Sequence, residues 1–172
     1  MPSSLPTDLP LSEAFPESVF SITTLEDEIR ADRFCHQLLL RFASDLVAAG
    51  DFDSAAAGAL AHGADYFLRE FVIGDRRENI LQLQPQRLRQ FAGNWYIVRN
   101  LEPNLKELCA ILEGVTVFYH YLAEQGLVPP TLATEMQNQA RDVEFFRGRI
   151  DAFWAIDNDG YSRWDRACPV GD

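Results

Sequence analysis

An apolar row between residues 101 and 122 constrains the fold of this 172-residue chain more than any other feature. Its members recur at alternating steps of four and three positions: Leu101, Leu105, Leu108, Leu112, Val115, Tyr119 and Leu122. That spacing places all of them on one stripe of an α-helix. Other apolar residues widen the stripe and predict contacts on more than one side: Cys109, Ile111, Phe118 and Tyr121. The sequence therefore predicts a central, mostly buried helix over 103–125.

Signals for helix ends lie around this helix and between the other apolar-periodic segments. Pro103 suits the first turn of the central helix, and Gly126 suits a left-handed residue after its last turn. Thr23 or Thr24 is a candidate cap for a first helix that ends at Gly50. The apolar side predicted for that first helix consists of Leu25, Ile29, Phe34, Leu38, Phe42 and Leu46.

Three further helices complete the prediction. Asp51 or Asp53 opens a second helix that runs to about Ile73, in which Gly58 and Gly63 are candidate points of close helix packing. Pro85 begins a third helix, and a last long helix starts near Thr131 or Thr134 and extends to about residue 156. No segment alternates in the manner of a β-strand. The predicted fold class is all-α, with about five main helices in one compact bundle.

The two ends of the chain differ from its middle. Residues 1–23 contain four prolines among polar residues, which predicts an extended or disordered arm. The apolar residues available to attach parts of it to the body are Leu9, Leu11, Phe15, Val19 and Phe20. Residues 24–156 are predicted to form a single helical domain, and 157–172 a polar tail. The N-terminus has no basic region followed by an apolar stretch, and no apolar run approaches the ~20 residues of a membrane span. We therefore expect a cytoplasmic protein without a membrane partner.

Charge is distributed unevenly along the chain. The formal net charge is −11, which opposes non-specific binding to nucleic acid or anionic membrane. Residues 69–106 nevertheless carry seven basic and four acidic side chains, so this segment is +3 and the remainder is −14. Such a basic segment is either a contact surface for an acidic partner or a solvated face paired with its own neighbours.

Catalytic and metal-binding motifs are absent from the sequence. The potential soft metal ligands do not have the spacing of a zinc site: Cys35, His36, His62, Cys109, His120 and Cys168. The segment 157–160 resembles the middle of a calcium loop, but Ala155 and Arg166 stand where acidic ligands are required, so we interpret it as a helix-terminating turn. No nucleophile elbow or phosphate-binding glycine loop occurs. We expect neither enzymatic activity nor a cofactor nor a metal, and we expect buried thiols.

Trp95 and Tyr96 are neighbours on the third helix and must point about 100° apart. One of them can therefore lie in the core while the other lies at its rim. With Asn94 and Arg99 nearby, the pair is a candidate recognition patch. The alternative is that both rings serve only to pack the core.

From roughly Ala56 to Pro130 the chain resembles the core-binding domain of tyrosine recombinases and phage integrases, a SAM-like helical module. The resemblance rests on Tyr66–Phe71, on the connector Ile80–Pro85 with Leu88 and Phe91, and on Phe118–Val128 with its aromatic–Tyr–Leu–Gly pattern. It implies a stand-alone helical module that is used either to grip DNA in a larger assembly or to bind protein. The chain departs from the family by having Thr116 where a basic residue is usual, and the catalytic domain has no counterpart after Pro130.

The leading functional hypothesis is a non-enzymatic, bacterial helical protein that binds a protein partner or associates with itself. The runner-up is an accessory DNA-binding protein that uses the integrase-like module, although the charge disfavours DNA. A weaker alternative is a small-molecule-binding bundle that uses Trp95, Tyr96 and His120. The candidate contact residues for a partner or nucleic acid are Arg76, Arg77, Arg87, Arg89, Arg99, Trp95 and Tyr96.

Overall fold

Helix α6, Leu105–Glu124, is the element around which the other helices pack in the computed structural model, which describes residues 9–171. Its main neighbours are helix α3, Ser54–Asp65, and helix α7, Pro130–Ala140. The predicted central helix is confirmed. Its apolar row is buried from Leu108 onward, whereas Leu101 precedes the helix and is 95% exposed.

The other elements of the described chain are also helical, and the predicted all-α class is confirmed. They are α1 (Leu11–Ala14), a 3₁₀ turn (Glu17–Phe20), α2 (Leu25–Ala48), a π-helix π1 (Tyr66–Asp75) that continues α3, α4 (Gln86–Gln90), a second π-helix π2 (Phe91–Trp95), α5 (Tyr96–Arg99), α8 (Val143–Trp154) and α9 (Tyr161–Ala167). No strand occurs within residues 9–171. None of the helices in that range is both long and apolar enough to cross a membrane.

Polar caps and glycines fix several helix ends as predicted. Thr24 caps α2 by accepting a hydrogen bond from the backbone N–H of Asp27, whose carboxylate accepts one from the N–H of Thr24. Asp53 caps α3 by accepting a hydrogen bond from the backbone N–H of Ala56. Gly126, which follows the C-cap Gln125 of α6, has a φ of +76°, the left-handed conformation that glycine adopts without strain. The cap of α6 is Asn104 rather than a turn that includes Pro103.

Helices α3 and α6 approach so closely that glycines are required at their contact. A Cβ atom on Gly63 would lie 3.0 Å from the Cα of Ile111, and one on Gly114 would overlap the carbonyl oxygen of Leu60. Gly63 is therefore a point of close packing, as predicted. Gly58 is not, because nothing lies within 4 Å of the position its Cβ would take.

The predicted last long helix is wrong, because the structure divides it into α7 and α8. Helix α7 ends at Ala140 and α8 begins at Val143, with Asp142 in a non-helical conformation between them. The break lets the two halves reach different neighbours besides α6, which both contact. Helix α7 also contacts α4, whereas α8 also contacts π2 and α9.

The prediction of an extended N-terminal arm is wrong for residues 9–23; residues 1–8 lie outside the described part of the chain. Leu11, Phe15 and Phe20 are buried in the main core. The guanidinium of Arg30 also donates hydrogen bonds to the carbonyl oxygens of Val19, at 3.2 Å, and of Ser21, at 2.9 Å. These contacts fix the segment against α2, although Leu9 at its start stays 36% exposed.

The predicted polar tail is likewise wrong, because residues 161–167 form α9 and pack on the body. The buried guanidinium of Arg149 donates to the carbonyl oxygens of Gly93, at 2.8 Å, and Trp164, at 2.7 Å. The Trp164 indole donates back to the carbonyl oxygen of Arg149 at 2.9 Å. Burial lowers the pKa of Arg149 from its ordinary value. This reciprocal arrangement joins α9 to α8 and π2.

Candidate functional site

All five arginines proposed as contact residues face carboxylates of the same chain. The nitrogen–oxygen distances are 3.8 Å for Arg76–Glu78, 3.1 Å for Arg77–Glu28, 2.7 Å for Arg87–Glu78, 2.8 Å for Arg89–Asp142 and 3.2 Å for Arg99–Asp75. These acids belong to α2, to the end of π1, to the loop after π1 and to the turn before α8. Much of the positive charge of residues 69–106 is therefore compensated within the chain.

Trp95 and Tyr96 are both buried, so both rings pack in the core. The Tyr96 ring is fully buried, and its hydroxyl donates to the Glu107 carboxylate at 3.1 Å and accepts from the N–H of Asn104 at 3.2 Å. Burial raises the pKa of Tyr96 to about 12, so its hydroxyl stays protonated at neutral pH. Trp95 is also buried, with 8% of its surface exposed. His120 contacts Gln137 of α7 at 3.2 Å instead of these aromatic residues.

Trp95 lines a surface pocket of about 400 Å³ between the two π-helices, which we call the π pocket. Its wall is formed by Tyr66, Glu70, Gly74, Asp75, Trp95 and Arg99. In a π-helix the hydrogen bonds run from residue i to i+5, as in the 2.9 Å bond from the N–H of Arg76 to the carbonyl of Phe71. The wider turn changes which side chains share a face. Such segments are rare and occur frequently at functional sites.

Aromatic and charged side chains are combined in the π pocket. The Arg99 guanidinium lies 5.0 Å from the centroid of the Trp95 ring and 3.2 Å from an oxygen of Asp75. The Tyr66 hydroxyl accepts a hydrogen bond from the Asn100 amide at 3.0 Å, and burial raises the Tyr66 pKa. Glu70 has no ion pair with any residue in 9–171. The wall of the π pocket therefore contains two aromatic side chains, two carboxylates and one cationic side chain, that of Arg99.

Sequence reasoning placed Trp95 and Arg99 in one patch but missed the other four wall residues. Tyr66, Glu70 and Gly74 are spaced four positions apart, and in an α-helix this spacing would also place them on nearly the same side. Nothing in that spacing distinguishes a π-helix from an α-helix. The pocket depends on how π1 and π2 meet in the fold.

The solvent-exposed face of α2 is a second unusual surface. Leu25 is 66% exposed, Ile29 62% and Leu40 60%, so the apolar side predicted for this helix is wrong at Leu25 and Ile29. The residues of α2 that are buried are Ala31, Cys35, Leu38, Leu39 and Phe42. Leu25 and Ile29 are neighbouring aliphatic side chains on one face at the start of α2, and both are largely exposed. Exposed apolar side chains grouped in this way are typical of a contact surface.

Cysteine and metal chemistry add no further site in the described chain. Cys35 and Cys168 are buried, Cys109 is partly buried, and all three are free thiols. Burial raises the pKa of the Cys35 thiol, which keeps it protonated and unreactive. Within residues 9–171 there is no group of three or more His, Cys, Asp and Glu side chains able to hold a metal ion.

Comparisons with protein-family models, with curated proteins and with solved structures found no match for this chain. The functional interpretation therefore rests on the geometry of the α2 face, of the arginine ion pairs and of the π pocket.

Proposed function

We propose that this protein is a non-enzymatic, cytoplasmic interaction protein that associates with a second copy of itself through the N-terminal half of α2. The observation that carries the proposal is the exposure of Leu25 and Ile29 side by side on that helix. Covering both side chains with a partner removes apolar surface from water, which favours association by roughly 25 cal/mol per Å². Leu40 extends the same exposed face toward the other end of the helix.

The charges beside Ile29 favour a second copy as the partner. Glu26 and Arg33 have no ion pair with any described residue, whereas the other acids of α2 are paired: Asp27 with Arg30, Glu28 with Arg77, Asp32 with Arg69 and Asp45 with Arg41. Glu26 precedes Ile29 by three positions and Arg33 follows it by four, so both lie on the face of Ile29. A two-fold axis beside Ile29 in an antiparallel helix pair places Glu26 of each copy opposite Arg33 of the other.

Charge reversal provides a direct test of this arrangement. We expect the wild-type protein to form a dimer that analytical ultracentrifugation detects at concentrations up to about 1 mM, since small interfaces associate weakly. Arg33→Glu should weaken the dimer by about tenfold, because it sets like charges opposite each other. The double variant Glu26→Arg, Arg33→Glu should restore it, because the reversed pair is again complementary.

The control for this experiment is Arg147→Glu, which reverses an exposed arginine on α8, far along the chain from the proposed interface. It should leave the dimer unchanged. A wild-type protein that stays monomeric over the whole concentration range would overturn self-association, and a double variant no better than Arg33→Glu would overturn the antiparallel arrangement.

Accessory DNA binding is the second candidate function, supported by the +3 charge of residues 69–106 and by the resemblance to integrase core-binding domains. The ion pairs of Arg87 with Glu78 and of Arg89 with Asp142 stand against it, because a phosphate would have to displace a carboxylate at each arginine. The −14 charge of the remaining chain adds repulsion.

We therefore expect duplex DNA to bind with a dissociation constant weaker than about 10⁻⁶ M at physiological salt. Fluorescence anisotropy with a labelled duplex measures this directly. Tighter, salt-sensitive binding that disappears in the double variant Arg87→Ala, Arg89→Ala would make DNA binding the better proposal.

A further inference from the structure

The π pocket has the side chains that recognise an organic cation. Tyr66 and Trp95 supply aromatic rings, whose faces attract cations, and Glu70 and Asp75 supply two negative charges. We propose that the π pocket binds a small organic cation that carries a guanidinium or ammonium group, and that Arg99 occupies the pocket in the absence of that ligand.

The position of Arg99 shows what the pocket accepts. Its guanidinium lies 5.0 Å from the Trp95 ring centroid and 3.2 Å from Asp75, so an aromatic ring and a carboxylate already hold one cation here. A ligand guanidinium in the same place would make the same two contacts. The pocket therefore needs no rearrangement beyond the departure of the Arg99 side chain.

Arg99 is held weakly enough to be exchanged. Its side chain is 57% exposed, and Asp75 is its one carboxylate partner among the described residues. Exposed ion pairs of this kind contribute little to stability because water and salt screen them. A long arginine side chain that leaves the pocket also regains rotamer freedom in solvent.

Glu70 gives the pocket a negative charge that Arg99 does not compensate. It lines the same wall and has no ion pair within residues 9–171, so Glu70, Asp75 and Arg99 together are −1. A ligand with a guanidinium and a second amino group can therefore interact with both Asp75 and Glu70. This favours a dication over a singly charged ligand.

Two features of the pocket wall are unfavourable for the stability of the fold. Both π1 and π2 depart from the α-helical hydrogen-bond pattern at the pocket. The indole N–H of Trp95 is buried and has no hydrogen-bond acceptor among the described residues, although an unsatisfied buried donor is costly. Departures of this kind from local optimum are concentrated at functional sites.

The test uses agmatine, a small molecule with a guanidinium and an amino group, as the probe. The variant Arg99→Ala removes the internal occupant and should bind agmatine at least about tenfold more tightly than the wild-type protein, tenfold corresponding to 1.4 kcal/mol. Among the three tryptophan indole N–H signals in a ¹H–¹⁵N spectrum, only that of Trp95 should shift during the titration. Butylurea, which has no charge, should not bind.

A second variant separates cation recognition from non-specific binding. Glu70→Gln in the Arg99→Ala background keeps the side-chain volume but removes one charge, and it should lose about tenfold in agmatine affinity. Arg147→Ala removes an exposed arginine outside the pocket and should bind like the wild-type protein. Because Glu70 and Arg99 are both exposed, these substitutions should leave the thermal midpoint nearly unchanged.

The outcomes that overturn the proposal are specific. They are an Arg99→Ala protein that binds agmatine no more tightly than the wild type, an affinity unaffected by Glu70→Gln, and equal binding of butylurea. A shift of the Trp154 or Trp164 indole signal in place of that of Trp95 would place the bound cation elsewhere.

Discussion

Deletion of residues 1–21 should lower the free energy of unfolding by about 5 kcal/mol or more, which would leave little of a typical domain's stability. The deletion removes Leu11, Phe15 and Phe20, all of which are buried in the main core, and leaves cavities that the helices cannot fill. It also removes the carbonyl oxygens of Val19 and Ser21 to which Arg30 donates hydrogen bonds. Chemical denaturation followed by circular dichroism measures the loss.

Point variants within the same segment show whether burial is the cause. Phe20→Ala alone should cost about 3 to 5 kcal/mol, since the ring is fully buried. Ser18→Ala, two positions away on the exposed side of the 3₁₀ turn, should stay within about 0.5 kcal/mol of the wild type. If the deletion protein unfolded at the wild-type denaturant midpoint, residues 9–21 would not belong to the core in solution.

Gly114→Ala should destabilise the protein by about 3 kcal/mol or more, although alanine is the better helix former. The added methyl group would overlap the carbonyl oxygen of Leu60 and lie 3.0 Å from the backbone nitrogen of Ala64. Both obstacles are backbone atoms of α3, so no side-chain rotation relieves the overlap. The two helices would have to separate, and the separation would loosen the packing of α6 along its length.

Gly58→Ala is the matched control for that substitution. Gly58 is also a helical glycine, on α3, but its Cβ would meet nothing within 4 Å. There the intrinsic preference of the helix for alanine should prevail and stabilise the protein by about 0.5 to 1 kcal/mol. Opposite signs for the two variants in thermal or chemical denaturation would confirm that the contact of α3 with α6 decides the effect. Equal signs would show that α3 and α6 are farther apart in solution.

The sequence by itself determined the features that depend on neighbours three or four positions away. The row from Leu108 to Leu122 predicted α6, since helical spacing alone brings those side chains onto one face. Two helix starts were predicted to within two residues, at Thr23 or Thr24 and at Asp51 or Asp53, because a capping oxygen bonds to a backbone N–H within its own turn. The caps in the structure are Thr24 and Asp53. The all-α class followed from the same local periodicity.

The tertiary structure alone decided which apolar faces are covered. Phe20 is buried and Ile29 is exposed although both lie in or beside apolar-periodic segments, because burial depends on whether another part of the chain reaches that face. Periodicity indicates an apolar face but contains no information about the segment that covers it. For this reason the sequence misassigned residues 9–23 and the start of α2.

The candidate sites were decided by tertiary structure in the same way. Arg99 and Asp75 are separated by 24 positions and Arg89 and Asp142 by 53, and such pairs form only where the fold brings distant segments together. The spacing of residues along the chain does not predict the π-helices either. Packing against neighbouring elements decides whether a backbone hydrogen bond joins residues four or five positions apart. The sequence supplied the aromatic and charged groups of the π pocket, and the packing of π1 against π2 placed them around one cavity.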